Sequence, residues 1–241
     1  MSYTSCFDVK WLLIELRAQK LRHIVLMVII LLAVQPTHSQ TKPIEEYNNK
    51  IGFDVVRNGE VVGQHVTTFL QDGSDLTVES KMNLKITLLG ITVYSFDYMS
   101  LEKWSDGVLS SLDVDVEDGA DQFKISSLLN SEGLTIISPS GTITARGPII
   151  STNHWNADIV MQSRVLNTLT GKINHVKLIS KGEERISIKD GYIMATRYDY
   201  SGELTDTSVW YDSHGRWSKL EFKARDGSTV EYICNTCEAD L

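Results

Sequence analysis

The sequence is short of most of the patterns from which an activity is usually read. It has three cysteines and four prolines in 241 residues, and no low-complexity stretch or interdomain linker interrupts it. Cys6 lies near the start, which leaves Cys234 and Cys237 as the only close pair. A zinc site needs two further ligands at defined spacing, and none accompanies this C-N-T-C. His65, His154, His175 and His214 are scattered, with no i, i+2 pair and no H-x-x-x-H, so no metal is expected. The G-x-S-x-G of a serine hydrolase is absent, Ser140 in Pro-Ser-Gly being a turn residue. Glycine-rich phosphate loops are missing too, and no cofactor is expected. No apolar run reaches the roughly 20 residues of a membrane span. Positive charge is in deficit, with 23 Lys+Arg against 31 Asp+Glu and a formal net charge of −8. That balance argues against nucleic acid and anionic lipid headgroups as partners.

The one uninterrupted apolar run, Ile24 to Val34, follows Lys20, Arg22 and His23 and precedes Gln35-Pro36-Thr37-His38-Ser39. Basic region, short apolar region, helix breaker and small residues come in the order of a secretory signal. The expectation is a signal peptide over 1–39, cut after Ser39, and a periplasmic or secreted protein that is not integral to the membrane once cleaved. The other possibility is an uncleaved anchor. Residues 1–39 carry Lys10, Arg17, Lys20 and Arg22 against Asp8 and Glu15, so the remainder is more acidic than the whole. An oxidising compartment favours a small local disulfide between Cys234 and Cys237. A redox-active pair would need a helix N-terminus to lower its thiol pKa, and this one follows a strand.

What is present is alternation. Between Met82 and Trp104 two arms fold back at Leu89-Gly90. Met82, Leu84, Ile86 and Leu88 alternate with Lys81, Asn83, Lys85 and Thr87, the period of a strand with one dry and one wet face. In the second arm Tyr94, Phe96, Tyr98, Glu102 and Trp104 share a parity. Each arm spans about 45 Å at 3.4 Å per residue, and strands that long must coil. Turn residues recur every 8 to 15 positions along 40–241: Asn58-Gly59, Asp72-Gly73, Asp106-Gly107, Asp118-Gly119, Gly133, Gly141, Lys181-Gly182, Asp190-Gly191, Ser201-Gly202, Gly215 and Asp226-Gly227. An alternating run follows each, as an antiparallel meander requires. The wet faces carry Lys219, Glu221 and Lys223 opposite Leu220 and Phe222, which excludes a lipid-facing barrel. Alternation fails only over 147–171, where Ala157 to Leu169 could form a short helix capped by Asn156. The fold expected is therefore all-β. It is a long-stranded, strongly curved antiparallel meander, a half-barrel or clam-like barrel, with one short helical or irregular capping segment at 147–171.

The stretches IGFDVVRNGEVVGQH (51–65), ITVYSFDYMSLEKWSDGVLSSLDVDVEDG (91–119), NHW (153–155) and WYDSHGRWSKLEF (210–222) resemble a family of uncharacterised signal-bearing bacterial exported proteins known only as a domain of unknown function. The resemblance covers nearly all of 40–241 and implies an exported β domain. It carries no activity and transfers no catalytic residue.

Two clusters could carry chemistry. Glu102 shares its face with Tyr94, Phe96, Tyr98 and Trp104, and a carboxyl on a dry wall could bind a ligand or act as a general acid. If the strand ends near Leu101, Glu102 is merely exposed beside Lys103. His154 and Trp155 lie in the only non-β segment, and loops on a rigid sheet commonly carry binding residues. Alternatively Trp155 anchors the loop into the core while His154 bonds backbone. Tyr94, Phe96, Tyr98, Glu102 and Trp104 are thus the candidate wall of a ligand site, with His154 and Trp155 at its mouth. The reading that follows is binding of an apolar or amphipathic molecule, such as a lipid acyl chain, in the cell envelope. Its alternatives are a structural or protein-interaction module with a filled core, or a hydrolytic enzyme using Glu102 with His154.

Overall fold

The computed structural model describes residues 47–239, so the expected signal at 1–39 lies outside the described residues. Eight strands come before the break in the pattern: β1 Lys50–Arg57, β2 Glu60–Asp72, β3 Asp75–Leu88, β4 Ile91–Ser105, β5 Val108–Asp118, β6 Asp121–Asn130, β7 Gly133–Ser138 and β8 Gly141–Ala145. Seven follow it or lie within it: β9 Ile150–Ser151, β10 Arg164–Leu166, β11 Ile173–Ile188, β12 Gly191–Gly202, β13 Thr207–Asp212, β14 Trp217–Lys223 and β15 Thr229–Cys234. All belong to one sheet of 15 strands in the order β8-β7-β6-β5-β4-β3-β2-β1-β15-β14-β13-β12-β11-β10-β9. The two ends do not pair, so the sheet is open. Every neighbouring pair is antiparallel except β9 with β10. Among the described residues no helix is long and apolar enough to cross a membrane.

The alternation read in the sequence sets the sheet's two faces. On the inner face β3 and β4 present six cross-strand pairs, from Ile86 with Tyr94 through Leu84 with Phe96, Met82 with Tyr98, Ser80 with Ser100 and Val78 with Glu102 to Leu76 with Trp104. Burial deepens along that series, Tyr94 being 36% exposed and Glu102 fully buried. One end of the curved sheet is thus open, and the other is filled.

The filling is the 147–171 segment. Trp155 packs edge-on against Phe69 of β2 and Trp104 of β4, at centroid distances of 5.6 and 5.3 Å. His154 meets Tyr200 of β12 at 5.8 Å and Trp217 of β14 at 5.6 Å. Strands far apart in the sheet order converge on two adjacent residues, which requires strong curvature. Buried irregular backbone needs partners, and two tyrosines supply them: Tyr211 Oη donates to the His154 carbonyl at 2.8 Å and Tyr47 Oη to that of Trp155 at 2.7 Å.

Two local expectations are corrected. The helix expected over Ala157 to Leu169 is a 3₁₀ turn over Ala157–Met161, capped by the Asn156 side chain accepting from the Asp158 amide at 3.0 Å. It ends at Gln162, whose backbone is extended at φ −84° and ψ 143°, and its fully buried Ile159 contributes about 1.5–3 kcal/mol by leaving water. Lys181-Gly182 is not a hairpin turn. The strand continues from Ile173 to Ile188 with a bulge between Ser180 and Gly182, and Gly182, at φ +93°, adds twist without ending the pairing. Cys234 and Cys237 are joined in a disulfide with Cα atoms 5.6 Å apart.

Candidate functional site

A cavity of about 610 Å³ lies between the open half of the inner face and the inserted segment. One wall is apolar: Met82, Leu84, Ile86 and Phe96 from β3 and β4 face Leu220, Phe222 and Val230 from β14 and β15. Its polar side is made by Tyr98, Tyr200 and Tyr232 together with His65, Asn153, His154 and Thr168. Arg57, Lys223, Arg225, Asp118 and Asp226 also border it. Arg57 pairs with Asp226, and Arg225 reaches Asp118 of β5 at 3.3 Å, an ion pair linking the β14–β15 turn to the far side of β4. Tyr94 Oη donates to the same Asp118 at 2.7 Å.

The polar side carries no charge near neutral pH. Burial pushes the His154 imidazole down to about 3, and burial together with the proximity of His154 brings His65 to about the same value. Burial also raises the Tyr98 phenol to about 12 and lifts those of Tyr200 and Tyr232. These groups can give and accept hydrogen bonds but cannot neutralise an ion. His65 Nε2 lies 3.2 Å from Thr67 Oγ1, which lies 2.9 Å from Ser80 Oγ, while His65 Nδ1 is buried with no partner. Tyr200 Oη lies 3.3 Å from His154 Nδ1. The His154 backbone sits at φ +63°, a conformation costly for a residue with a Cβ. The surrounding bonds hold it there.

Glu102 stands behind this wall. Its Oε1 accepts from Ser151 Oγ at 2.5 Å and Asn153 Nδ2 at 2.6 Å; its Oε2 accepts from the indoles of Trp104 at 2.8 Å and Trp155 at 2.9 Å. Four donors match the acceptor-only chemistry of a carboxylate. Asn153 then relays the bond to the cavity, its Nδ2 also donating to Ser100 Oγ at 3.0 Å and its Oδ1 accepting from Tyr98 Oη at 2.7 Å.

Of the seven ligand-site candidates, Tyr94, Phe96, Tyr98 and His154 border the cavity, whereas Glu102, Trp104 and Trp155 have no surface on it. The parity that groups them is observed, but the inserted segment covers the deep half of the face. Trp155 is in the core rather than at the mouth. Glu102 and His154 share no cleft, since both carboxyl oxygens are occupied by fixed donors. Sequence reasoning missed His65, Asn153, Tyr200 and Tyr232. The alternation of β2, β12 and β15 marks the faces of His65, Tyr200 and Tyr232, and Asn153 lies in the segment without alternation; no local signal distinguishes a cavity-lining position from a packed one.

Residues 53–235 match the family described as domain of unknown function DUF6134. The chain belongs to that family. No curated protein matches the sequence. Among solved structures, this family member resembles the crystal structure of a β-barrel-like protein of domain of unknown function DUF1849 from Brucella abortus. The TM-score is 0.55 at 5% identity, over 80% of this chain and 97% of that one. A likeness at that identity concerns the fold alone.

Proposed function

We propose that this protein binds a single apolar or amphipathic molecule, such as a lipid acyl chain, inside its curved sheet and does so without chemistry. The observation that carries the reading is the cavity itself: about 610 Å³, within the 300–1,000 Å³ of small-molecule sites. Its aliphatic and aromatic wall suits a hydrocarbon chain, its uncharged hydrogen-bonding groups suit a neutral polar group, and Arg57, Lys223 and Arg225 on its border suit an acidic end such as the carboxylate of a fatty acid. A hydrolytic role is not favoured, because the fully buried Glu102 is bonded away from the space a substrate would fill, and the carboxylates that border that space, Asp118 and Asp226, are held by Arg225 and Arg57. The signal-like order of residues 20–39 supports a site of action in the periplasm or outside the cell. Organic extraction of the purified protein followed by mass spectrometry tests the reading. A stoichiometric lipid-like molecule is expected. Protein that emerges empty from every preparation and takes up no fluorescent fatty acid refutes it.

A further inference from the structure

Beyond that reading, the β3–β4 hairpin carries a feature that ligand binding alone does not require. Pairing of β3 with β2 ends at Leu84 with Gly63, and pairing of β4 with β5 ends at Phe96 with Asp118. The remaining pairs, Lys85 with Ser95, Ile86 with Tyr94, Thr87 with Thr92 and Leu88 with Ile91, form a two-stranded ribbon without a flanking strand, roughly 15 Å long at 3.4 Å per residue. Its apolar side chains stand in water: Leu88 is 63%, Leu89 94%, Ile91 68% and Val93 58% exposed. Its base carries Ile86 and Tyr94, which border the cavity.

The turn chemistry shows that leucine at the tip is not a local preference. Three two-residue hairpin turns hold both residues at positive φ: Asn58-Gly59 at +50° and +88°, Asp106-Gly107 at +48° and +75°, and Leu89-Gly90 at +52° and +81°. Such turns favour asparagine, aspartate or glycine at the first position, because a larger side chain is strained there. Two of the three have the favoured residue. The third places a leucine in the strained conformation and exposes it almost completely.

We infer that this ribbon inserts its tip into the surface of a lipid bilayer, so that the cavity mouth meets the phase in which an apolar ligand dissolves. The ribbon from Lys85 to Ser95 contains one cation and no acidic residue, so insertion buries no carboxylate. Its length suits the 5–10 Å that interfacial elements penetrate. The chain's net charge of −8 disfavours a strongly anionic surface, and a zwitterionic membrane is the partner. The choice of membrane over a second copy or another protein rests in part on the proposed ligand.

The test is co-flotation of the purified protein with phosphatidylcholine vesicles. Wild type is expected to float with them. Leu89→Asn restores the favoured turn residue, so it is expected to unfold no earlier than wild type while its vesicle affinity falls at least about tenfold, the loss of one buried leucine. Leu88→Glu with Ile91→Glu is expected to abolish flotation. Binding of cis-parinaric acid from solution is measured on the same proteins and is expected to be unchanged. If wild type does not float, or all variants float equally, the inference is overturned. It is overturned equally if wild type dimerises in sedimentation and the tip substitutions abolish the dimer. Failure of all proteins to bind cis-parinaric acid, with vesicle binding still dependent on Leu89, removes the ligand reading and leaves the docking surface.

Discussion

Glu102→Gln replaces one carboxyl oxygen with an amide that donates, at a site where both oxygens accept. If the new amide takes the position of Oε2, it faces the indoles of Trp104 and Trp155. In the position of Oε1 it faces Ser151 and Asn153. Either way two hydrogen bonds to a charged group are lost, each contributing about 1.5–3 kcal/mol. Ser151 can turn its hydroxyl to accept and Asn153 can rotate its amide, and such relaxation recovers part of the loss. The expected cost is about 2–4 kcal/mol, or about 4–16 °C in melting temperature for a domain of this size. Urea unfolding should show a lower midpoint with an unchanged slope, since the surface exposed on unfolding stays the same. Trp104→Phe removes one donor and keeps most of the ring. A double-mutant cycle of the two substitutions should give a coupling of at least about 1 kcal/mol. If Glu102→Gln melts within about 2 °C of wild type, Glu102 does not anchor the inserted segment and the account of the deep half of the fold is wrong.

Acid should destabilise the protein through its two buried histidines. Each has a folded pKa near 3 against 6.5 in the unfolded chain. The unfolded state therefore binds more protons below pH 6.5, and stability present above that value is lost as pH falls towards 3. At pH 5 each histidine removes about 2 kcal/mol at 1.36 kcal/mol per unit, so urea midpoints measured between pH 7 and 5 should fall. His154→Gln should flatten that slope, and an unchanged slope would contradict neutral burial. Replacing Cys234 and Cys237 together by serine opens a loop with a sequence separation of 3. Chain entropy puts the cost near 2 kcal/mol, readable by calorimetry against oxidised wild type, with reduced wild type expected to melt with the variant. Leu220→Trp, which projects bulk into the cavity, should lower affinity for cis-parinaric acid at least about tenfold while shifting the melting temperature by only a few degrees. Tight binding by this variant would place the ligand elsewhere.

Alternation made the sheet legible. Met82, Leu84 and Ile86 face inward as their spacing implies, because a side-chain period of two residues is a property of extended backbone and is written locally. The turns were legible for the same reason at Asn58-Gly59 and Asp106-Gly107. Lys181-Gly182 misled, since a glycine that adds twist at a bulge and one that reverses the chain look alike in sequence. The broken alternation over 147–171 marked an element that is not an ordinary strand, but nothing in it said that Trp155 goes inward to Phe69 and Trp104.

Composition and periodicity settle the class of this protein: β throughout, curved because its strands are long, with one face dry. They also put Glu102 among aromatic rings. Folding in three dimensions turned that carboxyl from a ligand candidate into a structural anchor. Ser151, Asn153 and Trp155, three of its four partners, come from 49, 51 and 53 positions away. Periodicity tells which way a side chain points along its own strand. Which donors meet it, and whether the facing walls touch or leave a space, depends on how far the sheet bends and on what the chain inserts between its halves.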